Sequence, residues 1–181
     1  MNAKDDATLV AECLGGDNRA FETLVRKYEK AVYNVALRML GAPEDAQDIA
    51  QTVFVKAYEK LDSYDSAHQF FSWIYRIAIN ESINYSKRAK RIQEYESGVT
   101  PSLEAAPDRS YDEGDLAEVV GEAIKELSLD YRMVIVLRHY HDFSYQEIGE
   151  ILSLPEKTVK SRLFTARQRL KEYLEARGID R

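Results

Sequence analysis

The feature that most constrains this chain is the spacing of its apolar residues, which recur at intervals of three and four. One such stripe covers residues 20–39, a second covers residues 46–61, and a third begins near Phe70. This period places apolar side chains on one side of an α-helix, whereas a half-buried strand alternates them at every second residue. The pattern therefore predicts an all-α fold.

The helical pattern stops between residues 93 and 114. Pro101, Pro107 and a Ser97-Gly98 pair occur there among several acidic residues. This composition gives little apolar surface to bury and favours turns over regular structure. The sequence predicts two small helical domains, residues 1–92 and 115–181, joined by a flexible acidic linker over residues 93–114.

Composition limits the class of protein. No apolar run approaches the eighteen or so residues that a membrane span needs, and the first residues lack the order of a secretory signal. We therefore expect a cytoplasmic protein that does not insert into a membrane. The single cysteine, Cys13, lies in an apolar stretch where a buried, structural thiol is expected.

Charge is distributed unevenly along the chain. The formal net charge is -6, yet basic residues cluster at 87–91 and again at 157–171. An acidic chain with two basic faces is suited to contact DNA at those faces and other partners elsewhere.

The second domain contains a predicted helix-turn-helix. Ser144 and Glu147 have the spacing of a capping box, in which each side chain accepts a hydrogen bond from the backbone N–H of the other residue. Gly149 permits close approach of another backbone, and Pro155 is placed to begin the next helix.

The helix after Pro155 carries polar and basic residues that suit a major groove. Arginine can pair with guanine, hydroxyls can contact either strand, and lysine neutralises phosphates. A solvated helix face is the alternative, but no acidic residue occurs between Glu156 and Glu172. The residues predicted to contact duplex DNA are Lys157, Thr158, Lys160, Ser161, Arg162, Thr165, Arg167 and Arg169.

The first domain combines aromatic, amide and basic residues, a mixture that suits unpaired bases. Bases stack on aromatic rings, amides bond base edges, and cations hold the backbone. Trp73 is interpreted as core, because its spacing with Ile74 and Ile77 is typical of a buried face. The predicted single-strand contacts are Tyr64, Phe70, Phe71, Tyr75, Asn80, Asn84 and Arg88.

The second stripe leaves polar residues, with an apolar one among them, on its outer face. Asp48, Gln51 and Thr52 fit a solvated surface, whereas Val55 beside Phe54 suggests a protein partner.

Three of these motifs together resemble those of the extracytoplasmic-function (ECF) sigma factors of bacterial RNA polymerase. Residues 45–51 with Phe54 resemble the polymerase-binding helix, and residues 70–80 resemble the promoter-melting segment. Residues 144–148 with 158–162 resemble the segment that recognises the upstream promoter element. The family commonly has glycine where this chain has Lys157, so its upstream preference need not match that of its relatives.

The resemblance implies how such a protein works. The first domain would bind the beta-prime clamp helices of core RNA polymerase through Asp45, Asp48, Gln51, Phe54 and Val55. The loop at residues 62–69 would capture an extruded base of the minus-ten element, with Asn80 and Asn84 contacting neighbouring bases. The second domain would bind the beta flap of the polymerase. It would also bind the minus-thirty-five element, which remains double-stranded DNA. The resemblance also implies a role in a stress response, and many members are silenced by an anti-sigma factor.

Two other classes of function compete with this interpretation. A helix-turn-helix regulator with a ligand-sensing domain would bind duplex DNA without polymerase. An enzyme would need a reactive centre, but His139 and His141 fall on different helix faces and no third metal ligand is evident. The sequence therefore predicts a protein that is not an enzyme, with no metal, cofactor or catalytic residue.

Overall fold

The computed structural model describes residues 5–97 and 113–179, and these two ranges contain α-helices but no β-strand. The expected all-α fold is therefore confirmed. None of the described helices is both long and apolar enough to cross a membrane. In chain order the helices are α1 (Asp6–Leu14), α2 (Asn18–Leu40), α3 (Pro43–Glu59), α4 (Phe70–Ser97), α5 (Glu113–Glu126), α6 (Leu129–His139), α7 (Tyr145–Leu152) and α8 (Glu156–Glu175).

The described chain forms two compact units, which divide between Ser82 and Ile83, inside α4. The first unit contains α1, α2, α3 and the first part of α4, and the second contains α5, α6, α8 and most of α7. The helix that contains the third stripe, α4, is longer than the sequence predicted. It continues through the basic cluster and ends at Ser97. Residues 93–97 of the predicted linker are thus helical, and residues 98–112 lie outside the described residues.

The core of the first unit is built where α2 packs against α3 and α1. Val32, Val35 and Met39 of α2 are fully buried there, as are Ala46 and Val53 of α3. Gly41 ends α2 in the left-handed conformation, with φ of 76°, and its N–H bonds to the carbonyl of Leu37. Since glycine adopts this φ without a steric penalty, the chain can turn sharply into α3.

The first unit also contains a helix that the sequence did not predict. In α1, Asp6 accepts hydrogen bonds from Lys27 Nζ and from the Tyr28 hydroxyl, both at 2.6 Å. Cys13 is buried on the inner face of this helix, as expected. The helix is thereby attached to α2 by both apolar and polar contacts.

The core of the second unit is built around α6. Five successive residues of this helix, Met133 to Leu137, are buried. One helix face cannot account for such a run, so α6 is covered on several sides, and both α5 and α8 pack on it. Ala123 of α5 and Leu163 of α8 are buried in this core.

Candidate nucleic-acid interfaces

The predicted capping box is formed at the start of α7. The backbone N–H of Glu147 lies 3.2 Å from the Ser144 hydroxyl oxygen, and that of Ser144 lies 2.7 Å from the Glu147 carboxylate. Because each side chain accepts from the other residue's N–H, two otherwise unpaired donors are satisfied. The start of the helix-turn-helix is thus fixed by two residues.

The turn between α7 and α8 is tight. Leu154 donates its N–H to the carbonyl of Gly149 at 2.9 Å, and Ser153 takes a left-handed φ of 54°. A Cβ on Gly149 would lie 2.7 Å from the carbonyl oxygen of Leu154, closer than real contacts allow. The prediction of close backbone approach at Gly149 is therefore confirmed.

The outward face of α8 is defined by the side chains that it buries. Val159, Leu163 and Ala166 face the core. On the opposite side, Lys157 and Ser161 are exposed as predicted. Phe164 and Gln168 are also exposed there, and Phe164 has 74% of its surface accessible. We call these four residues the reading face. The sequence analysis did not include Phe164 and Gln168, although their spacing places them opposite the buried positions of the helix.

All three arginines that were predicted to contact duplex DNA have partners within the protein. Arg162 Nη1 lies 3.2 Å from Asp130 Oδ1, and the Arg169 guanidinium carbon lies 4.8 Å from the Tyr131 ring centroid. On the other flank of α8, Arg167 Nε donates to His139 Nε2 at 3.3 Å. Burial and the nearby Arg167 lower the pKa of His139, which keeps the ring neutral and able to accept. The remaining predicted residues of that helix, Thr158 and Thr165, are half-buried on the flank of Arg162.

Lys160 is paired with an acidic residue of its own helix. Its Nζ lies 2.6 Å from Glu156 Oε1, one helical turn earlier, and 5.7 Å from the Tyr145 ring centroid. The hydrogen bond and the negative charge of Glu156 raise the pKa of Lys160. Charges are therefore mixed at the first turn of α8, and only the stretch beyond it is free of acids.

The predicted single-strand site contains an aromatic cluster at the start of α4. The Tyr64 ring lies 5.4 Å from Phe70 and 5.5 Å from Trp73, centroid to centroid. The Tyr64 hydroxyl donates to the carbonyl of His68 at 2.6 Å, which closes the loop at residues 62–69. The loop therefore has a defined shape, based on Tyr64 as its internal support.

Two of the predicted base-stacking residues are part of the core. Phe70 is 2% exposed and Tyr75 is 5% exposed, so neither ring has a face on which a base could stack. Burial raises the pKa of Tyr75 to about 12. The sequence prediction was wrong for these two residues, because α4 buries a wider face than one apolar stripe. Tyr64, Phe71 and Trp73 are half-buried.

A polar stripe follows one face of α4. Asn80, Asn84 and Arg88 are exposed, together with Lys87 and Arg91. These positions recur at three- and four-residue intervals, so the amides and the cations share one side of the helix. This arrangement combines amides that can bond base edges with cations that can neutralise phosphates.

The outer face of α3 forms a third surface. Asp48, Gln51 and Val55 are exposed in one row, and Asp45 and Phe54 lie beside it, half-buried. Tyr58, which the sequence analysis missed, extends the row and is half exposed. Its hydroxyl donates to Asn18 Oδ1 at 3.1 Å, so the row continues from α3 to the start of α2.

Among residues 5–97 and 113–179, no group of three or more His, Cys, Asp or Glu side chains is suited to bind a metal.

Comparison with known proteins matches two separate regions of this chain. The family model of Sigma-70 region 2 matches residues 24–92, and that of Sigma-70 region 4 matches residues 117–170. The RNA polymerase sigma-H factor of Pseudomonas aeruginosa is 30% identical, over 97% of this chain and 96% of that protein. The ECF RNA polymerase sigma factor SigW of Bacillus subtilis is 35% identical, over 88% of this chain and 91% of that protein.

Two solved structures are similar in fold. CnrH, solved with the cytosolic domain of CnrY, has a TM-score of 0.72 and 29% identity, covering 94% of this chain and 97% of that chain. The sigma factor RpoE of Bartonella quintana, solved with the anti-sigma factor NepR, has a TM-score of 0.70 and 28% identity, covering 89% and 98%.

The helix-turn-helix, the polar stripe on α4 and these matches define the class. The protein is a sigma factor, a transcription initiation factor that directs core RNA polymerase to promoters. Within that class, the chain belongs to the ECF sigma factor family.

Proposed function

We propose that α8 enters the major groove of the minus-thirty-five element with its reading face toward the bases. The observation that carries this proposal is that Lys157, Ser161, Phe164 and Gln168 are exposed together on the side opposite the buried residues. Hydroxyl and amide groups can bond base edges, and an exposed phenyl ring can contact a thymine methyl group. Lys160 and Arg167 are exposed on one flank, where a phosphate backbone would lie.

The polar stripe of α4 is the proposed contact to the minus-ten element. Asn80 and Asn84 would bond the edges of unpaired bases, and Arg88 would contact the backbone. The loop at residues 62–69 would capture an extruded base, with Phe71 at its border. Phe70 and Tyr75 act as internal supports. Extruding a base costs a few kcal/mol, so promoter melting depends on energy from these contacts and from polymerase.

Two surfaces are proposed to bind core polymerase. The row on α3 with Asp45, Asp48, Gln51, Phe54 and Val55 would bind the beta-prime clamp helices. The second unit offers a cavity of about 650 Å³ for the beta flap. Its lining is largely apolar and includes Val120, Ile124, Ile135, Leu170 and Leu174. Docking an apolar helix there would remove this surface from water, which is favourable.

Regulation and location follow from the family. CnrH and the Bartonella RpoE were each solved with a partner protein, in the second case an anti-sigma factor. An anti-sigma factor that competes with polymerase is the proposed regulator of this chain too. Core polymerase is cytoplasmic in bacteria, so the proposed location is the cytoplasm. The proposed boundaries stay at residues 1–92, 93–114 and 115–181, although α4 and α5 extend into the two ends of the middle segment.

Run-off transcription on a promoter library, with core polymerase and the full-length chain, tests this proposal. We expect a set of promoters that share one upstream element, and Ser161→Ala should relax preference at one position of it. Exposed Lys30 on α2 provides a control, since Lys30→Ala should leave the preferred sequence unchanged. A library in which no promoter fires, or tight duplex binding without polymerase, would contradict the proposal.

A further inference from the structure

We infer that Arg162 and Arg169 are positioning residues, which orient α8 by binding the first turn of α6 and do not contact DNA. The inference rests on the proposed function, in which α8 lies in the major groove. It reassigns two residues that the sequence alone placed among the DNA contacts.

The geometry is a two-point attachment. Arg162 and Arg169 are seven positions apart, or about two helical turns, and therefore leave α8 on the same side. They bind two successive residues of α6, Arg162 through its ion pair with Asp130 at 3.2 Å and Arg169 over the Tyr131 ring at 4.8 Å. Two contacts separated along the helix axis restrain both the rotation and the tilt of α8.

Partial burial separates Arg162 from the reading face, whereas Arg169 is exposed and is set apart by its position on the flank of Arg162, over the Tyr131 ring. The Arg162 side chain is 25% exposed, whereas its partner Asp130 is 62% exposed. An arginine that pairs with guanine must direct two guanidinium nitrogens into the groove, and the bond from Nη1 to Asp130 leaves Arg162 only Nε and Nη2 for such a contact. The exposed charge of Asp130 would also repel a phosphate backbone, so this flank of α8 is unsuited to lie against DNA.

The first turn of α6 is itself fixed in place. Arg132 donates through Nη2 to the carbonyl oxygens of Lys125 and Leu127, which ties the turn to the end of α5. The negative charge of Asp130 is also favourable at a helix N-terminus. The two arginines therefore bind a rigid reference, and the orientation of the reading face is transmitted from the core of the unit.

The test is the promoter profile of Arg162→Ala, Asp130→Asn and the double variant, measured as transcription by the holoenzyme on every single-base change in the upstream element. A positioning pair predicts a loss of about three- to tenfold for each single variant, spread over all base positions. The double variant should be no worse than either single variant. If Arg162→Ala does not fold, as judged by circular dichroism, Arg162→Gln replaces it.

Exchanging the two charges gives a sharper test. The combined variant Asp130→Arg with Arg162→Asp restores the ion pair in reverse, and we expect it to recover most of the activity that Arg162→Asp alone loses. The slope of log affinity against log salt should be unchanged in Arg162→Ala, since no phosphate contact is removed. A slope smaller by about one, or relaxed preference at a single base position, would overturn the inference.

The outcome is separable from that of the proposed function. Ser161→Ala and Phe164→Ala change side chains of the reading face and should each alter preference at particular positions. If these two variants leave the profile unchanged, α8 does not contact the bases and the proposed function fails. If they alter it as expected while Arg162→Ala relaxes one position only, the positioning role alone is wrong.

Discussion

Two buried tyrosine hydroxyls make the first unit sensitive to alkali. Burial raises the pKa of Tyr75 to about 12, and burial with a hydrogen bond to Asp6 raises that of Tyr28 further. Below about pH 10 both hydroxyls are protonated in the folded and unfolded chain alike, so their contribution to the free energy of unfolding is fully present. Above it the unfolded chain releases protons that the folded chain retains, and the free energy of unfolding falls.

Denaturant titration between pH 9 and pH 12 measures this loss. Each such tyrosine should contribute a fall of at most about 1.4 kcal/mol per pH unit. Tyr75→Phe keeps the ring but removes the hydroxyl, so its stability curve should be flatter over this range. Tyr95, which is exposed, provides the matched control, because Tyr95→Phe removes the same hydroxyl outside the core. Equal slopes in all three proteins would contradict the assigned cause.

Single residues were predicted well where the chemistry is local. The capping box of Ser144 and Glu147 needs only a spacing of three, and the burial of Cys13 follows from its neighbours. Phe70 and Tyr75 were assigned wrongly because composition does not say which rings a helix buries. The partners of Arg162 and Arg169 lie more than thirty positions away in sequence, and no local pattern reports such contacts.

The turn of the helix-turn-helix depends on the absence of a side chain at Gly149. A methyl group there would meet the carbonyl oxygen of Leu154, which is backbone and cannot rotate away. We expect Gly149→Ala to lower the free energy of unfolding by about 1–3 kcal/mol and to weaken promoter-specific transcription.

Gly121, in α5, is the matched control for this substitution. A Cβ at that position meets no atom within 4 Å, so Gly121→Ala should stabilise the protein by about 0.5–1 kcal/mol through helix propensity. Thermal unfolding of the two variants measures both effects. Destabilisation by Gly121→Ala, or a neutral Gly149→Ala, would show that close approach does not govern this turn.

At the scale of whole elements, the three apolar stripes predicted α2, α3 and α4, and the helix-turn-helix was also predicted. The first helix, α1, was missed because it is short and is attached through Asp6 to residues over twenty positions later. The end of α4 was placed too early, since charged residues interrupt an apolar stripe without ending a helix. Lysine and arginine are good helix formers, and the backbone continues through them.

For the molecule as a whole, we expect DNA binding to depend on polymerase. The chain has a net charge of -6, and its two basic clusters lie on α4 and α8. In a gel-shift titration, the free chain should bind promoter duplex only weakly, near the 10⁻⁴–10⁻⁶ M that is roughly typical of non-specific binding. The holoenzyme should bind the same duplex at least about 10³-fold more tightly. Comparable affinities would favour a regulator that acts alone.

The division of labour on α8 also affects how promoter preference can change over evolution. Lys157, Ser161, Phe164 and Gln168 are exposed, so under the proposed function mutations there would alter specificity at little cost to folding. The flank that carries Arg162 and Arg169 preserves the docking angle while such mutations accumulate. After gene duplication, two copies could therefore come to recognise different promoters through changes at these four exposed residues, while the core of the domain stays the same.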